Sequence, residues 1–228
     1  KRLLLSRQLY PDRLANPNFP AGSSFLYATT NGSSSNYHSL QAQFRRHFSK
    51  GLQVLSSYTW SHAIDDATSN FTSSTLLRAS SNYDIRHNFQ AALSYDLPGA
   101  YSQPALRALL GGWGIDTRIA ARSALPVDVV ASTQVTPSGL SYAPYPHLDA
   151  SQPLYVNVEN APGHRVINLK AFILPAAGEE GTAGRNIARG FASYQNDLAV
   201  RREFTLTDRA RLTFRAEAFN LFNHANFG

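Results

Sequence analysis

The sequence contains no cysteine and no methionine. Without cysteine, disulfides, thiolate metal sites and cysteine nucleophiles are excluded. Without methionine the chain does not begin at an initiator residue, so we expect it to be a piece of a longer protein. No apolar run approaches the roughly 18 residues that a spanning helix needs. The leucines at positions 3–5 are too few for the apolar region of a signal peptide.

Charged residues are also scarce, at 16% of the chain, and Lys+Arg 21 against Asp+Glu 15 gives a formal charge of +6. The mean hydropathy of −0.27 is too polar for a helical membrane protein. With 11 tyrosines and 13 phenylalanines the composition favours β-structure. The 228 residues suffice for one large β domain or two small ones.

Polar and apolar residues alternate from Tyr37 to His62, which predicts two strands, each with one polar and one apolar face. The turn at 49–51 ends in Gly51, which suits a type I turn followed by a G1 bulge. Pairing Phe48 with Leu52 keeps the two faces separate. The apolar parity of the first strand contains Leu40, Ala42, Phe44 and Phe48, and the polar parity contains Gln41, Gln43, Arg45 and His47.

A second hairpin is predicted near the end of the chain, with its turn at 207–209. If Leu206 pairs with Ala210, the apolar face joins Phe204 to Leu212 and Val200 to Ala216. On the polar face Arg201 then lies opposite Arg215. Opposite charges on neighbouring strands attract, so we predict that Glu203 pairs with Arg211 or Arg215, and Arg201 with Glu217.

Two further strands are predicted at 87–97 and 113–122, and a weaker seventh at 127–131. The predicted strands are about ten residues long, which is the length of a tilted membrane strand. The commonest strand length in globular proteins is about 5–6 residues. Short connections at 49–51, 98–112 and 207–209 alternate with long ones at 63–86 and 123–195. Membrane barrels show this asymmetry.

Aromatic residues fall near the predicted strand ends, as in the two interfacial girdles of a membrane barrel. The proposed girdle residues are Phe48, Tyr58, Trp60, Phe89, Tyr95, Trp113 and Phe204. Six or seven strands do not close a barrel, and each unpaired backbone group costs several kcal/mol in hydrocarbon. We therefore expect further strands outside this chain.

Several segments resemble the barrel of Oar-like TonB-dependent receptors. These segments are 36–41, 48–52, 57–66, 84–89, 184–186, 197–200 and 214–224. Together they extend the resemblance from about Gly22 to Gly228. The last three segments resemble the C-terminal hairpin of that family, which a final strand with a terminal aromatic residue follows. We expect that strand to lie outside this chain, because Phe227 and Gly228 end the sequence within a predicted loop.

The resemblance implies an all-β, antiparallel, up-and-down transmembrane barrel in the bacterial outer membrane, with residues 1–36 leading into the barrel and 37–228 forming it. It also implies a plug in the same parent chain, coupling to the TonB energy-coupling complex through missing N-terminal parts, and passage of a bulky ligand. Lipid and lipopolysaccharide are the expected surroundings. The residues expected to face the lumen, where they would hold the plug, are Gln41, Gln43, Arg201, Glu203, Arg215 and Glu217.

Other candidate sites are weak. His62 with Asp65 and Asp66 suggests a metal site, but a strand end entering a solvated loop is the favoured interpretation. Glycines 178, 181 and 184 lack the following helix of a phosphate cradle, which favours a flexible loop. The sequence has no nucleophile and base signature that would indicate an enzyme, and no cofactor is expected. The arginines at 201–215 alternate with apolar residues and Glu, whereas a nucleic-acid-binding surface has a continuous stripe of basic residues.

The leading hypothesis is an outer-membrane receptor or transporter acting in uptake or surface export, with the long loops 63–86 and 123–195 facing the ligand. The alternative is a secreted soluble β-sandwich, such as an adhesin or a carbohydrate-binding module. It predicts that Leu40, Phe44, Leu212 and Phe214 are buried within protein.

Overall fold

Long alternating strands dominate a computed structural model of the chain. The structure describes residues 2–9, 26–47, 51–66, 78–99, 102–135, 141–176, 179, 181–207 and 209–227. The long strands are β1 (Arg2–Leu9), β2 (Leu26–His47), β3 (Leu52–Asp65), β5 (His87–Asp96), β6 (Trp113–Arg122), β15 (Ser193–Thr207) and β16 (Ala210–Ala218). The fold is all-β and antiparallel, as predicted.

Short elements occupy the connections. The strands among them are β4 (Ala79–Ser80), β7 (Pro126–Val127), β8 (Gln134–Val135), β9 (Ser141–Tyr142), β10 (His147–Leu148), β11 (Tyr155–Asn157), β12 (Arg165–Ile167), β13 (Phe172–Ile173) and β14 (Ala188–Arg189). Within the described ranges an α-helix, α1, spans Pro104–Leu110, and 3₁₀ turns span Pro162–His164 and Leu169–Ala171. Among the described residues, no helix has the length and apolar character needed to cross a membrane.

The chain divides into two units. The first unit contains Lys1–His38, His62–Asp84 and Leu125–Gly190, and the second contains Ser39–Ser61, Ile85–Ala124 and Phe191–Gly228. In the first unit β1 pairs with the start of β2, β4 pairs with the end of β3, and four two-stranded ladders join β7 to β14, β8 to β9, β10 to β13 and β11 to β12. In the second unit the strand order is β2-β3-β5-β6-β15-β16.

The second unit confirms much of the predicted hairpin at 197–218. Phe204 pairs with Leu212, Val200 with Ala216 and Arg201 with Arg215. The predicted pairing of Leu206 with Ala210 is wrong, because the register shifts between Thr205 and Thr207 and Ala210 lies opposite Thr207. An extra residue on one strand is a β-bulge, which bends the strand and increases its twist. Alternation does not reveal such a bulge next to a turn.

In the other strands of the second unit, too, the alternate residues of each strand point to the same face of the sheet. Gln53 lies opposite Ser94, Ser94 opposite Asp116, and Asp116 opposite Ala199. Because side chains alternate along a strand, these residues share one face, called here the polar face. The opposite face, called the apolar face, carries Val54, Leu93, Thr117, Leu198 and Ala218 in register.

The described parts of the three shorter connections lie at the same end of the antiparallel strands of the second unit, as predicted. Asp96 N–H donates to the Gly51 carbonyl at 3.0 Å, and Glu203 N–H donates to the Gly112 carbonyl at 2.9 Å. Gly51 has a φ of 75°, the left-handed conformation that the predicted turn needs at this position. Residue Phe48, on which the predicted register of the first hairpin depends, lies outside the described residues.

The connection 98–112 contains a helix that the sequence analysis did not predict. Pro104 stands at its first turn, and Ala, Leu and Arg fill the rest of the segment Pro104–Leu110. Proline suits the first helical position, and the other residues are good helix formers. These signals follow no alternating pattern, so a prediction based on alternation does not reveal the helix.

The predicted seventh strand at 127–131 is not a strand of the large sheet. Pro126–Val127 instead pairs with Ala188–Arg189 in a two-stranded ladder of the first unit. Proline lacks the N–H that a central strand must donate, so this segment is suited to a short ladder.

Candidate functional site

Five side chains on the polar face of the second unit form the candidate functional site. We call Asp96, Asp116, Arg201, Arg215 and Glu217 the charged cluster. The register aligns them on β5, β6, β15 and β16, with Asp96 opposite Gly114 and Gly114 opposite Arg201. Three carboxylates face two guanidiniums, so the cluster has a formal charge of −1.

Arg201 lies at the centre of the charged cluster. Its Nη2 donates to Asp96 Oδ1 and, at 3.2 Å, to Ser94 Oγ. Its Nε donates to Asp116 Oδ1 at 3.3 Å. A Cβ on Gly114 would lie 2.6 Å from the Cζ of Arg201, so only glycine leaves room for the guanidinium above this strand. Arg201 therefore links two strands that are not its own.

Arg215 forms the other half of the charged cluster. Its Nη1 donates to Asp116 Oδ2 at 2.6 Å, and its Nε donates to Glu217 Oε1 at 2.5 Å. Asp116 also accepts from Ser94 Oγ at 2.7 Å. Asp116 thus receives three donors from three strands. Such a fixed arrangement presents charges at defined positions without leaving any of these carboxylates unpaired.

The predicted charge ladder is correct at one position and wrong at another. Glu203 pairs with Arg211 at 3.1 Å, as predicted. Arg201 does not pair with Glu217, because Asp96 and Asp116 on the preceding strands lie within its reach and Arg215 engages Glu217. The prediction considered only the hairpin itself, whereas β6 flanks β15 on its other side.

A cavity of about 600 Å³ lies over this part of the second unit. Its lining includes Asp116, Arg215 and Glu217 of the charged cluster, and Arg45 and Arg118 add two further guanidiniums. Gln41 and Gln43 share the parity of Arg45 on β2 and are exposed. The six residues predicted to face a lumen therefore follow polar parities, while their exposure to a lumen stays a prediction.

Of the proposed girdle residues, Phe89, Tyr95, Trp113 and Phe204 lie near strand ends, whereas Tyr58 and Trp60 lie inside β3, because β3 continues to Asp65. Tyr58 pairs with Phe89 and Trp60 with His87 near the end where the long loops attach. Tyr58 Oη lies 2.7 Å from His87 Nδ1. At the short-turn end lie Tyr95, Trp113 and Phe204. Their contact with membrane interfaces stays a prediction, and Phe48 lies outside the described residues.

The first unit contains a second group of polar side chains, buried where the two long loops meet. Asp84 is fully buried and accepts from Ala63 N–H at 2.7 Å and from Arg189 Nη2 at 2.5 Å. His62 Nδ1 lies 3.1 Å from the same carboxylate. Asp65 and Arg185, both nearly fully buried, form an ion pair at 2.8 Å.

Asn186 completes this group, which we call the loop junction (Asp65, Asp84, Arg185, Asn186 and Arg189). The Asn186 side chain donates to the Ser80 carbonyl and to Asn82 Oδ1, both at 2.7 Å, and its N–H donates to Asp128 Oδ1 at 2.5 Å. The ion pairs of Asp84 with Arg189 and of Asp65 with Arg185, and both side-chain hydrogen bonds of Asn186, join residues of 62–84 to residues of 125–190. Segments 84–89 and 184–186, which carry part of the family resemblance, therefore contribute Asp84, Arg185 and Asn186 to the loop junction.

The loop junction corrects the interpretation of His62, Asp65 and Asp66 as the start of a solvated loop. Asp65 is buried against Arg185, and Asp66 instead accepts from the Ser34 N–H at 2.6 Å. The three side chains have different partners. Within the described ranges no group of three His, Asp or Glu residues is placed to hold a metal ion.

The flexible-loop interpretation of glycines 178, 181 and 184 is also wrong for Gly181. Its N–H donates to the Tyr145 carbonyl at 2.8 Å, and a Cβ there would lie 2.1 Å from the carbonyl carbon of Pro146. Gly181 is therefore packed against backbone. Gly178 lies outside the described residues.

Comparison with known families decides the identity of the chain. The family model of an outer membrane beta barrel domain matches residues 5–228. The chain belongs to this family. This outer membrane beta barrel domain resides in the bacterial outer membrane. No curated protein and no solved structure matches the chain.

Proposed function

We propose that this outer membrane beta barrel domain is part of the wall of an Oar-like TonB-dependent receptor, which moves a bulky ligand in uptake or surface export and performs no catalysis. The observation that carries the proposal is the separation of the two faces in the second unit. One face holds the charged cluster, and the other presents exposed apolar side chains, among them Leu212 and Phe214.

The exposure of the apolar residues argues against the soluble sandwich. Leu40, Phe44, Leu212 and Phe214 are exposed by 62%, 50%, 54% and 56%. A sandwich buries such residues between its two sheets. In an outer-membrane barrel the same residues face lipid, where their exposure within the protein is expected.

The charged cluster supports a polar, plugged lumen. Lumens of membrane barrels tolerate charged residues because they contain water or a plug, whereas hydrocarbon does not. Arg201 and Arg215 are held by carboxylates on neighbouring strands, so a plug would meet a surface whose charges are already positioned. In this proposal Gln41, Gln43 and Glu203 supply further hydrogen-bonding groups on the same wall.

The first unit supports a role in ligand contact. Its short ladders and the loop junction give the described parts of the long loops 63–86 and 123–195 a defined structure. Binding residues are frequently carried by loops that a rigid scaffold positions. We propose that this unit forms the ligand-facing surface, beside outer-membrane lipid and lipopolysaccharide.

The proposed arrangement of the faces can be tested with two neighbouring residues. In the full-length protein in outer membranes, Arg215→Cys and Phe214→Cys place a thiol on opposite faces of β16. A water-soluble, membrane-impermeant maleimide is expected to label Arg215→Cys and to spare Phe214→Cys, which lipid shields. Equal labelling of the two variants would contradict a lumen on the polar face.

Energy coupling requires a separate experiment. The full-length protein is immobilised and incubated with the purified periplasmic domain of TonB from the same bacterium. We expect the full-length protein to retain TonB, and a truncated protein consisting of this chain alone not to, because coupling is proposed to reside in the N-terminal parts of the parent. Absence of retention by the full-length protein would remove the TonB-dependent assignment and leave the barrel assignment intact.

A further inference from the structure

Helix α1 is a feature of the second unit that a barrel wall does not require. It connects β5 to β6 within the connection 98–112, at the edge where the short turns meet. None of its residues is buried. Leu106, Leu109 and Leu110 are exposed by 40%, 64% and 43%.

Two side chains of the apolar face bind the carboxyl end of α1. Arg202 lies opposite Trp113 on one side and Phe214 on the other, which places it on the apolar face. Its Nη2 donates to the Ala108 carbonyl, and Trp113 Nε1 donates to the Leu109 carbonyl at 3.3 Å. Carbonyls in the last turn of a helix have no partner within the helix, so these donors fasten α1 to this face.

Aromatic rings hold the Arg202 guanidinium in place. Its Cζ lies 5.1 Å from the ring centroid of Trp113 and 4.5 Å from that of Phe204. Cation–π attraction at such distances strengthens when water is excluded. A cation beside the carboxyl end of a helix also interacts favourably with the helix dipole.

The leucines of α1 form one stripe, because positions 106, 109 and 110 are separated by three and four residues. The only charged residue of the helix is Arg107, and its first turn has no acidic residue. A short helix with an apolar stripe, positive charge and nearby aromatic rings has the features of a helix that lies in a membrane interface.

We propose that α1 lies in the phospholipid layer at the short-turn edge of the barrel, with Leu106, Leu109 and Leu110 in the acyl boundary and Arg107 and Arg202 near lipid phosphates. The apolar stripe belongs to a helix that is fastened to the apolar face, and the positive charge of Arg107 and Arg202 complements anionic phospholipid. This inference rests on the outer-membrane barrel and not on the proposed transport, so either can fail without the other.

The test measures the depth of a spin label on α1. The full-length protein carrying Leu109→Cys with a nitroxide is reconstituted into vesicles of phosphatidylcholine and phosphatidylglycerol. Collisions with oxygen, which concentrates in the bilayer, are compared with collisions with a water-soluble nickel chelate. The control is Leu169→Cys, which labels a strongly exposed leucine of the first unit.

We expect oxygen collisions to exceed nickel collisions at position 109 and the reverse at position 169. Dominant nickel collisions at position 109 would place the helix in water, and low values with both reagents would place it against protein. Either result would overturn the proposal.

A second variant, Arg202→Gln, tests whether Arg202 holds the helix, by a measurement that does not depend on the depth of the spin label in the bilayer. Arg202→Gln in the Leu109→Cys background removes the guanidinium, so we expect faster nitroxide motion. Retained heat-modifiable electrophoretic mobility verifies that the variant barrel is folded. An unchanged spectrum in the folded variant would show that Arg202 does not hold the helix.

Discussion

Arg201 reaches Asp96 across the intervening strand β6 because the residue between them is Gly114. The three positions are in register, Asp96 opposite Gly114 and Gly114 opposite Arg201. A methyl group on Gly114 would lie 2.6 Å from the guanidinium carbon. The absence of one side chain therefore permits an ion pair between strands that are not adjacent.

Gly114→Ala is expected to displace the Arg201 guanidinium and uncouple it from Asp96. Because both side chains of the pair are partly exposed, the loss in the free energy of unfolding should be small, about 0.2–1 kcal/mol. A double-mutant cycle with Asp96→Asn measures the coupling by urea unfolding from phospholipid vesicles. We expect Asp96→Asn to be less destabilising in the Gly114→Ala background than in the native protein.

Gly99→Ala is the matched control, because a Cβ there would meet its nearest atom at 3.5 Å, an ordinary contact. If Asp96→Asn has the same effect in the native, Gly99→Ala and Gly114→Ala backgrounds, Gly114 does not enable the pair.

Asp84→Asn is expected to loosen the loop junction while the barrel strands still assemble. The amide keeps the size of the carboxylate but loses the ion pair with Arg189 inside a buried site. Breaking buried pairs is strongly destabilising, and because Arg189 is partly exposed we expect about 2–3 kcal/mol. Native-state proteolysis of residues 125–190 at increasing urea concentration measures the free energy of this local opening.

Asp149→Asn provides the control for this prediction. Asp149 is an exposed carboxylate of the first unit that accepts from Ser151 Oγ at 2.6 Å and from Ser151 N–H at 2.9 Å. These two hydrogen bonds lower the pKa of Asp149. Equal protease sensitivity of the two variants would show that the buried position of Asp84 has no special role.

Ala216→Arg is expected to impair insertion into lipid. Ala216 pairs on the apolar face with Val200, which lies at the middle of β15. An arginine on the lipid face near the bilayer midplane costs about 2–4 kcal/mol. Folding into phospholipid vesicles, followed by heat-modifiable mobility on gels, measures the loss. Thr213→Arg on the same strand but the opposite parity should insert normally, and equal defects in both variants would contradict the assignment of the faces.

Gly181→Ala is expected to destabilise the first unit by about 1–3 kcal/mol, the usual range for forcing extra volume into packed structure. The added methyl would approach the Pro146 backbone to 2.1 Å, and backbone cannot move aside as a flexible side chain can. Proteolysis within 141–176 should accelerate. Gly190→Ala, whose Cβ would lie 3.5 Å from Val127, should leave the cleavage rate unchanged; a similar acceleration in both would argue against close packing at Gly181.

The sequence predicted the parts of the fold that obey a simple period. The faces of β3, β5, β6, β15 and β16 and most of the β15–β16 register follow from alternation, because one buried or lipid-facing side fixes the pairing. The bulge at Leu206 escaped prediction since a local register shift leaves the residue pattern on either side intact.

The candidate site was only partly predictable, because its partners are distant in sequence. The predicted face of Arg201 is correct, but its partners are distant in the sequence. Asp96 lies 105 residues from Arg201, and Asp116 lies 85 residues from it. The loop junction escaped prediction for the same reason: Asp65 and Arg185 are separated by 120 residues with no periodic pattern between them.

The loop junction has a consequence for grafting experiments on this family. Arg185 and Arg189 belong to one long loop, and the carboxylates of Asp65 and Asp84 that they neutralise belong to the end of β3 and to the other long loop. If residues 125–190 alone are transplanted into a related barrel, Arg185 and Arg189 arrive there without the carboxylates that neutralise them. A chimera that is meant to carry the recognition surface must therefore receive residues 62–84 and 125–190 as one inseparable cassette.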